Sequence, residues 1–148
     1  LSLRRQRQMC IRDRFCATRG LEVSRRIEPG VTILADALEM ELLISNLLKN
    51  AADATAGTDD AVIRASLSAE DGTAMLTISD NGPRLTDEQF ARLTIPLNTS
   101  KPQGLGLGLV IVRRIAESAR GRVLFERLPE RGLAITVSLP VCEQNNRT

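Results

Sequence analysis

The chain has no histidine, no tryptophan and no tyrosine. Losing histidine removes the commonest general base and the commonest phosphoryl acceptor among side chains. Three phenylalanines supply the whole 2% aromatic content. The core must therefore be built from Leu, Ile, Val and Ala, with little ring surface left for stacking bases, and no nucleic-acid partner is expected. No apolar run approaches the roughly 18 residues of a membrane span, and the arginine-rich start lacks the apolar stretch of a signal peptide, so no membrane contact is expected of this region. Cys10, Cys16 and Cys142 are odd in number, form no Cys-x-x-Cys pair and have no histidine beside them. That argues against zinc and for a reduced, cytoplasmic setting.

With 148 residues, 43% of them hydrophobic, the chain can bury one core and is too short for two ordinary ones. The net charge of +2 hides an asymmetry. Residues 1–26 carry eight arginines against Asp13 and Glu22, a surplus of six, so the remainder carries −4. Residues 1–20 show neither a helical nor a strand period and are expected to be a basic, poorly ordered leader or the truncated remnant of a preceding segment. The expected domain is 21–141, with a polar tail over 142–148.

From Leu21 the pattern becomes regular. "LEVSRRI" and "VTILAD" predict two strands around the turn at Pro29-Gly30. Asp36 is placed to cap a helix over 37–55, in which Leu38, Leu42, Leu43, Leu47, Leu48, Ala51 and Ala52 recur at helical spacing. "AVIRASLSA" and "TAMLTISD" predict a hairpin turning at Asp71-Gly72. Thr86 and Gln89 fit a capping box that opens a short helix. Residues 94–104 read as a loop. A further helix is expected from Leu109, with Leu109, Val110, Val112, Ile115 and Ala116 inward and Gly121 closing it. Two final strands, "RVLFERL" and "LAITVSLP", flank a turn at 129–132. Helices interspersed with hairpin strands predict an α+β fold, a two-layer sandwich with a mixed, mostly antiparallel sheet and about three helices on one face.

Three stretches carry chemistry. "TSKPQGLGLGL" fails the dinucleotide fingerprint, because the sixth position from Gly104 is Leu109, and it fails the Walker pattern, because Lys101 precedes the glycines. It remains either a tight turn or a flexible loop feeding a helix start, where free backbone N–H groups favour an anion. Asn46 and Asn50 lie one turn apart on the same face of an otherwise apolar helix. Carboxamide oxygens suit Mg²⁺, which takes few protein ligands besides substrate phosphates; the alternative is that both face solvent or bond the local backbone. Lys49 and Asp53 flank them, Lys49 within reach of a phosphate or simply solvated. In "ISDNGPRL", Asp80 ends a buried-type strand and can accept from an exocyclic amine, although Asp-Asn-Gly is also an ordinary turn.

Taken in their order along the chain, the three stretches resemble the ATP-binding catalytic domain of sensor histidine kinases, within the wider group of gyrase-type ATPases, Hsp90 chaperones and MutL proteins. "NLLKNAADAT" looks like the N box, "DNGPR" the G1 box, "TSKPQGLGLGLVIVRRIAE" the G2 box with the end of the lid, and "GLAITVSLP" the last strand. The resemblance implies the Bergerat ATP-binding fold and ATP with Mg²⁺ as cofactors. It makes Asn50 the Mg²⁺ ligand and puts Asn46 near the γ-phosphate. Asp80 would bind the adenine amine and Gly82 would admit the base. Gly104, Gly106 and Gly108, with the intervening Leu105, Leu107 and Leu109, would cradle the triphosphate, while Thr99, Ser100 and Lys101 sit by the γ-phosphate, making Asn46 and Lys101 the catalytic pair. Arg84 replaces the second G1 glycine, Leu93, Ile95 and Leu97 stand where the paired F-box phenylalanines are expected, and Ala134 stands where threonine is common.

The resemblance further implies a protein-histidine kinase of a two-component system. Its partners would be the dimerisation and phosphoacceptor domain of the full kinase and a response regulator. Without a histidine, this region would bind ATP without phosphorylating itself, and alone it would be a monomer. Two other readings are a serine kinase of the anti-sigma-factor type and a regulatory module with a degenerate nucleotide site.

Overall fold

The computed structural model describes residues 7–11, 24–94 and 106–142. In chain order these form β1 (Arg7–Cys10), β2 (Ser24–Ile27), β3 (Thr32–Ala35), α1 (Ala37–Thr55), β4 (Ile63–Glu70), β5 (Thr73–Asp80), α2 (Asp87–Thr94), α3 (Gly106–Ser118), β6 (Arg122–Arg127) and β7 (Leu133–Pro140). Five strands make one sheet in the order β2-β4-β5-β7-β6. Only β2 and β4 run parallel; the other pairs are antiparallel. The mixed, mostly antiparallel sheet with three helices is the expected architecture.

The alternation of β4 and β5 decides which side of the sheet is covered. Ala74, Leu76, Ile78 and Asp80 are buried on β5, opposite Leu139, Val137 and Ile135 of β7, while Thr77 on the other face bonds Thr136 Oγ1 to Oγ1 at 2.8 Å. Only one face is apolar, so α1 and α3 pack there and against each other. Asp36 caps α1 by accepting from the N–H of Leu38 at 2.9 Å and of Glu39 at 3.0 Å, and Met40, Leu43, Ile44 and Leu47 of the helix are fully buried. Each such side chain contributes about 1.5–3 kcal/mol of transfer free energy. Leu38 and Leu42, expected on the apolar stripe, are instead 75% and 47% exposed. The buried stripe runs through Met40, Leu43, Ile44, Leu47, Leu48, Ala51 and Thr55, with Met40 and Ile44 in place of Leu38 and Leu42.

Two of the three phenylalanines sit under arginines. Arg127 lies over Phe90 at 4.8 Å and Arg113 over Phe125 at 5.1 Å. Arg113 also donates to the carbonyl of Leu93, and Arg127 to Asp87, so α2 is fastened to α3 and β6. Thr86 and Gln89 form the expected capping box, each backbone N–H bonding the other's side chain at 2.9 and 3.1 Å.

Three expectations fail. Arg7–Cys10 is a strand, paired antiparallel with β3, and Ile11 after it is buried. The strand has no two-residue apolar period because its pairing is set by β3, which is joined through Ile33 and Val141 to the end of β7. Helix α3 starts at Gly106 rather than Leu109: glycine's low propensity reads as loop, but in a first turn the lost intrahelical bonds do not exist anyway. Gly121 does follow α3, donating to the carbonyl of Ala116 at 2.7 Å. The left-handed residue, however, is Arg120 at φ 61. Gly121 is small because a Cβ would lie 2.2 Å from the carbonyl oxygen of Ser138.

Candidate functional site

The site is organised by one face of α1. Asn46, Asn50 and Ala54 recur every four residues, so they form a stripe about 12 Å long at 1.5 Å per residue. At one end a Cβ on Gly108 of α3 would come 3.0 Å from Asn46 Oδ1. At the other a Cβ on Gly82 would come 2.7 Å from the carbonyl oxygen of Ala54. Glycines of "TSKPQGLGLGL" and "ISDNGPRL" thus abut the two ends of the stripe, and Asn50 lies between them.

The two asparagines differ in what they have left to offer. Asn46 donates through Nδ2 to the carbonyl of Leu42 at 2.8 Å, and its oxygen faces α3. Asn50 is half-buried, and its carboxamide has no hydrogen-bond partner among the described residues. A polar group held mid-helix without a protein partner is available to a ligand, as a hard oxygen donor requires. No group of three or more His, Cys, Asp or Glu side chains that could hold a metal occurs among the described residues. A divalent ion here would rely on few protein oxygens and on the phosphates, the habit of Mg²⁺, and Asn50 fits that role. Lys49 and Asp53 are exposed beside the stripe.

Asp80 closes the far end, only 5% exposed. Burial pushes its carboxyl above the ordinary value, against the backbone N–H groups of Gly82 and Leu133, which favour the charged form. The Gly82 N–H lies 2.9 Å from Oδ1. Several neighbours fix this strand end. Asn81 accepts from the N–H of Val62 and donates to the carbonyl of Asp60, both at 2.7 Å. Arg131 holds Asp60 bidentately at 2.7 Å to each oxygen, which lowers the Asp60 pKa. Gly132, at φ 98, lets β7 begin where a Cβ would sit 1.9 Å from the carbonyl oxygen of Asp80. Asn81, Asp60, Arg131 and Gly132 were invisible as a unit: in the sequence they are two ordinary turns, and the glycine reads there as turn chemistry alone.

Of the expected site residues, Asn46, Asn50, Asp80, Gly82 and Gly108 are brought together along α1. Leu109 is buried, 5% exposed, so it anchors the start of α3 in the core. Gly106 and Leu107 lie in the first turn of α3. Thr99, Ser100, Lys101, Gly104 and Leu105 fall outside the described residues, as do Ile95 and Leu97. Arg84 is exposed, and its charge contributes to lowering the Asp87 pKa, behind the larger effect of Arg127. Ala134 is buried between Ser79 and Glu126 on neighbouring strands.

Residues 35–143, most of the chain, match the family described as "Histidine kinase-, DNA gyrase B-, and HSP90-like ATPase". The chain belongs to this ATPase family. Among its relatives, the C4-dicarboxylate transport sensor protein DctB of Rhizobium meliloti is 34% identical over 132 residues, 88% of this chain and 21% of DctB. The signal transduction histidine-protein kinase BaeS of Escherichia coli is 32% identical over 136 residues, 88% of this chain and 28% of BaeS. The chain thus spans about a quarter of the length of such relatives. Among solved structures, the mycobacterial sensor histidine kinase MprB superposes with a TM-score of 0.76 at 22% identity, covering 94% of this chain and 99% of that one. The histidine kinase domain of the E. coli osmosensor EnvZ gives 0.72 at 24% identity, covering 100% and 96%. These likenesses show the fold. The family implies the use of ATP, and no helix among the described residues is long and apolar enough to cross a membrane.

Proposed function

We propose that this ATPase-family domain is the catalytic part of a two-component sensor histidine kinase in the cytoplasm, binding Mg·ATP and donating the γ-phosphoryl group to a histidine on a separate dimerisation domain. One observation carries the reading: Gly108 and Gly82 meet opposite ends of a single α1 stripe with the unpartnered Asn50 between them. On this reading the phosphates would lie by Asn50 and α3 and the base over Gly82, where the buried Asp80 carboxylate would accept from the exocyclic amine. Phosphoryl transfer asks mainly for positioning and charge neutralisation. Asn50 would hold Mg²⁺, which when bound neutralises phosphate charge. The first-turn N–H groups of α3 point their positive dipole end at the same anion, and Lys101, with Thr99 and Ser100, would complete the charge at the γ-phosphate.

The acceptor lies outside this chain, which has no histidine, and a response regulator would take the group onward. The named relatives are sensor kinases, which disfavours a serine kinase of the anti-sigma-factor type. ATP titrations with and without Mg²⁺ test the site. Wild type binds in a Mg²⁺-dependent manner, and Asn50→Ala loses that dependence together with roughly tenfold or more in affinity, the worth of one charge-assisted contact. Adding a histidine-bearing dimerisation domain then yields an acid-labile phosphohistidine. An unchanged metal requirement in Asn50→Ala removes the assignment of that residue, and an acid-stable phosphoserine product removes the histidine reading.

A further inference from the structure

Strand β6 is an edge of the five-stranded sheet, bonded on one side to β7 and on the other to nothing among the described residues. Its side chains alternate. Arg122, Leu124 and Glu126 project from the open face of the sheet, and Val123 and Phe125 turn toward the helices. Leu124 is 57% exposed, and Val123 and Phe125 stay half-exposed although residues on the same face of β5 and β7 are sealed. A groove of about 450 Å³ runs along this edge between β6 and α3. Natural edge strands usually repel a second strand with charge of one sign, proline or a bulge. Here the two charges are opposite in sign and flank a leucine.

The hydrogen-bond alternation fixes what a second strand would meet. Leu128 donates to the carbonyl of Gly132 at 3.0 Å, and in an antiparallel ladder every second residue bonds the same neighbour. Leu124, Arg122 and Glu126 therefore bond β7, and the N–H and C=O groups of Val123 and Phe125 point outward. We propose that β6 is a homodimer edge, where two copies of this chain pair antiparallel about a two-fold axis at Leu124. Val123 of one protomer then exchanges two N–H···O bonds with Phe125 of its partner, and the reverse pair does the same. Arg122 stands opposite the partner's Glu126, Leu124 opposite the partner's Leu124, and two five-stranded sheets become one of ten strands.

Other two-fold registers fail. Centring on Val123 or Phe125 sets Leu124 against a charge, and centring on Glu126 sets two carboxylates against each other. Only the axis at Leu124 satisfies the backbone, both ion pairs and the apolar contact together, as an isologous interface requires. Helix α2 crowds only the Arg127 end of the strand, through Arg127 and Phe90, leaving residues 122 to 126 open. One strand pair is a small interface, so association is transient and concentration-dependent. This replaces the expectation of a monomer and does not depend on the nucleotide site.

Sedimentation velocity on the chain from about 10 μM to about 1 mM, the range for weak interfaces, tests it. Wild type shows a monomer–dimer equilibrium. Glu126→Arg and Arg122→Glu each weaken it at least tenfold by opposing like charges, and the double exchange, Arg122→Glu with Glu126→Arg, restores it because opposite charges again face each other. With Cys10, Cys16 and Cys142 changed to serine, Leu124→Cys crosslinks into a covalent dimer on mild oxidation, since a non-hydrogen-bonded antiparallel pair has disulfide-compatible spacing. Folding of each variant is verified by circular dichroism, and either single reversal suffices if the other fails to fold. A wild type monomeric throughout, a dimer indifferent to both single reversals, or a double exchange that does not recover association overturns the proposal.

Discussion

Replacing Gly132 by alanine separates two things a glycine can do. At Gly132 both apply: φ is 98, and a Cβ would sit 1.9 Å from the carbonyl oxygen of Asp80 and 3.0 Å from Cα of Asn81. At Gly72, in the turn between β4 and β5, φ is 78 and nothing lies within 4 Å of a built Cβ. Gly72→Ala therefore carries only the backbone cost, about 1–2 kcal/mol for a left-handed residue with a side chain. Gly132→Ala carries the same cost plus overpacking against main chain that cannot rotate away, about 1–3 kcal/mol more. The difference corresponds to roughly 2–10 °C in melting temperature for a domain of this size. Urea unfolding of both variants, with m-values compared to confirm an unchanged transition, measures it. Because the displaced atoms carry Asp80 and Asn81, Gly132→Ala also weakens ATP binding, whereas Gly72→Ala leaves it intact. Equal midpoint shifts for the two variants, or a Gly132→Ala protein with wild-type ATP affinity, would show that β7 does not hold the Asp80 end of the proposed site.

Two other outcomes follow from the same geometry. Gly108→Ala, in the first turn of α3, gains only part of the about 1 kcal/mol that the exchange is worth in a helix interior and displaces only the end of the Asn46 side chain, 3.0 Å away; stability is expected to be unchanged or slightly raised while ATP affinity falls, and loss of both together would mean that the contact is rigid. Burial raises the Asp80 pKa, so its proton favours the folded state: that contribution is full below the unfolded pKa and is lost as pH rises through the folded one. Wild type should therefore lose stability relative to Asp80→Asn as pH rises across that window, and a stability difference independent of pH would show that Asp80 is not desolvated.

Much of the fold was legible because its elements are locally consistent. The limits of α1, β5 and β7 are those their periodicity and caps predict, and Asp36, Thr86 and Gln89 bond as their side-chain chemistry requires. The errors have a common cause, since each depends on contacts distant in sequence. Leu38 and Leu42 satisfy the helical period, but the face that the packed core buries runs through Met40 and Ile44 instead. Arg7–Cys10 has no period of its own and becomes a strand because β3 offers an edge. The site divides the same way. Asn46, Asn50, Asp80 and the glycines were visible as residue types out of place in their surroundings, whereas the Asn81, Asp60 and Arg131 support is made of residues at home in any turn.

The stripe of α1 explains why stability and nucleotide geometry are coupled here. The helix that carries the Asn46, Asn50 and Ala54 stripe buries Met40, Leu43, Ile44 and Leu47 directly beside it, and its length sets the spacing between Gly108 and Gly82. Truncating a core residue such as Leu47 costs about 2–5 kcal/mol, but any relaxation of α1 toward the void also shifts both ends of the cleft, because neither Gly108 nor Gly82 has a side chain with which to follow. Slack is least at the Gly82 end, where a Cβ would meet the main-chain carbonyl of Ala54, and greater at the Gly108 end, which abuts only the Asn46 side chain.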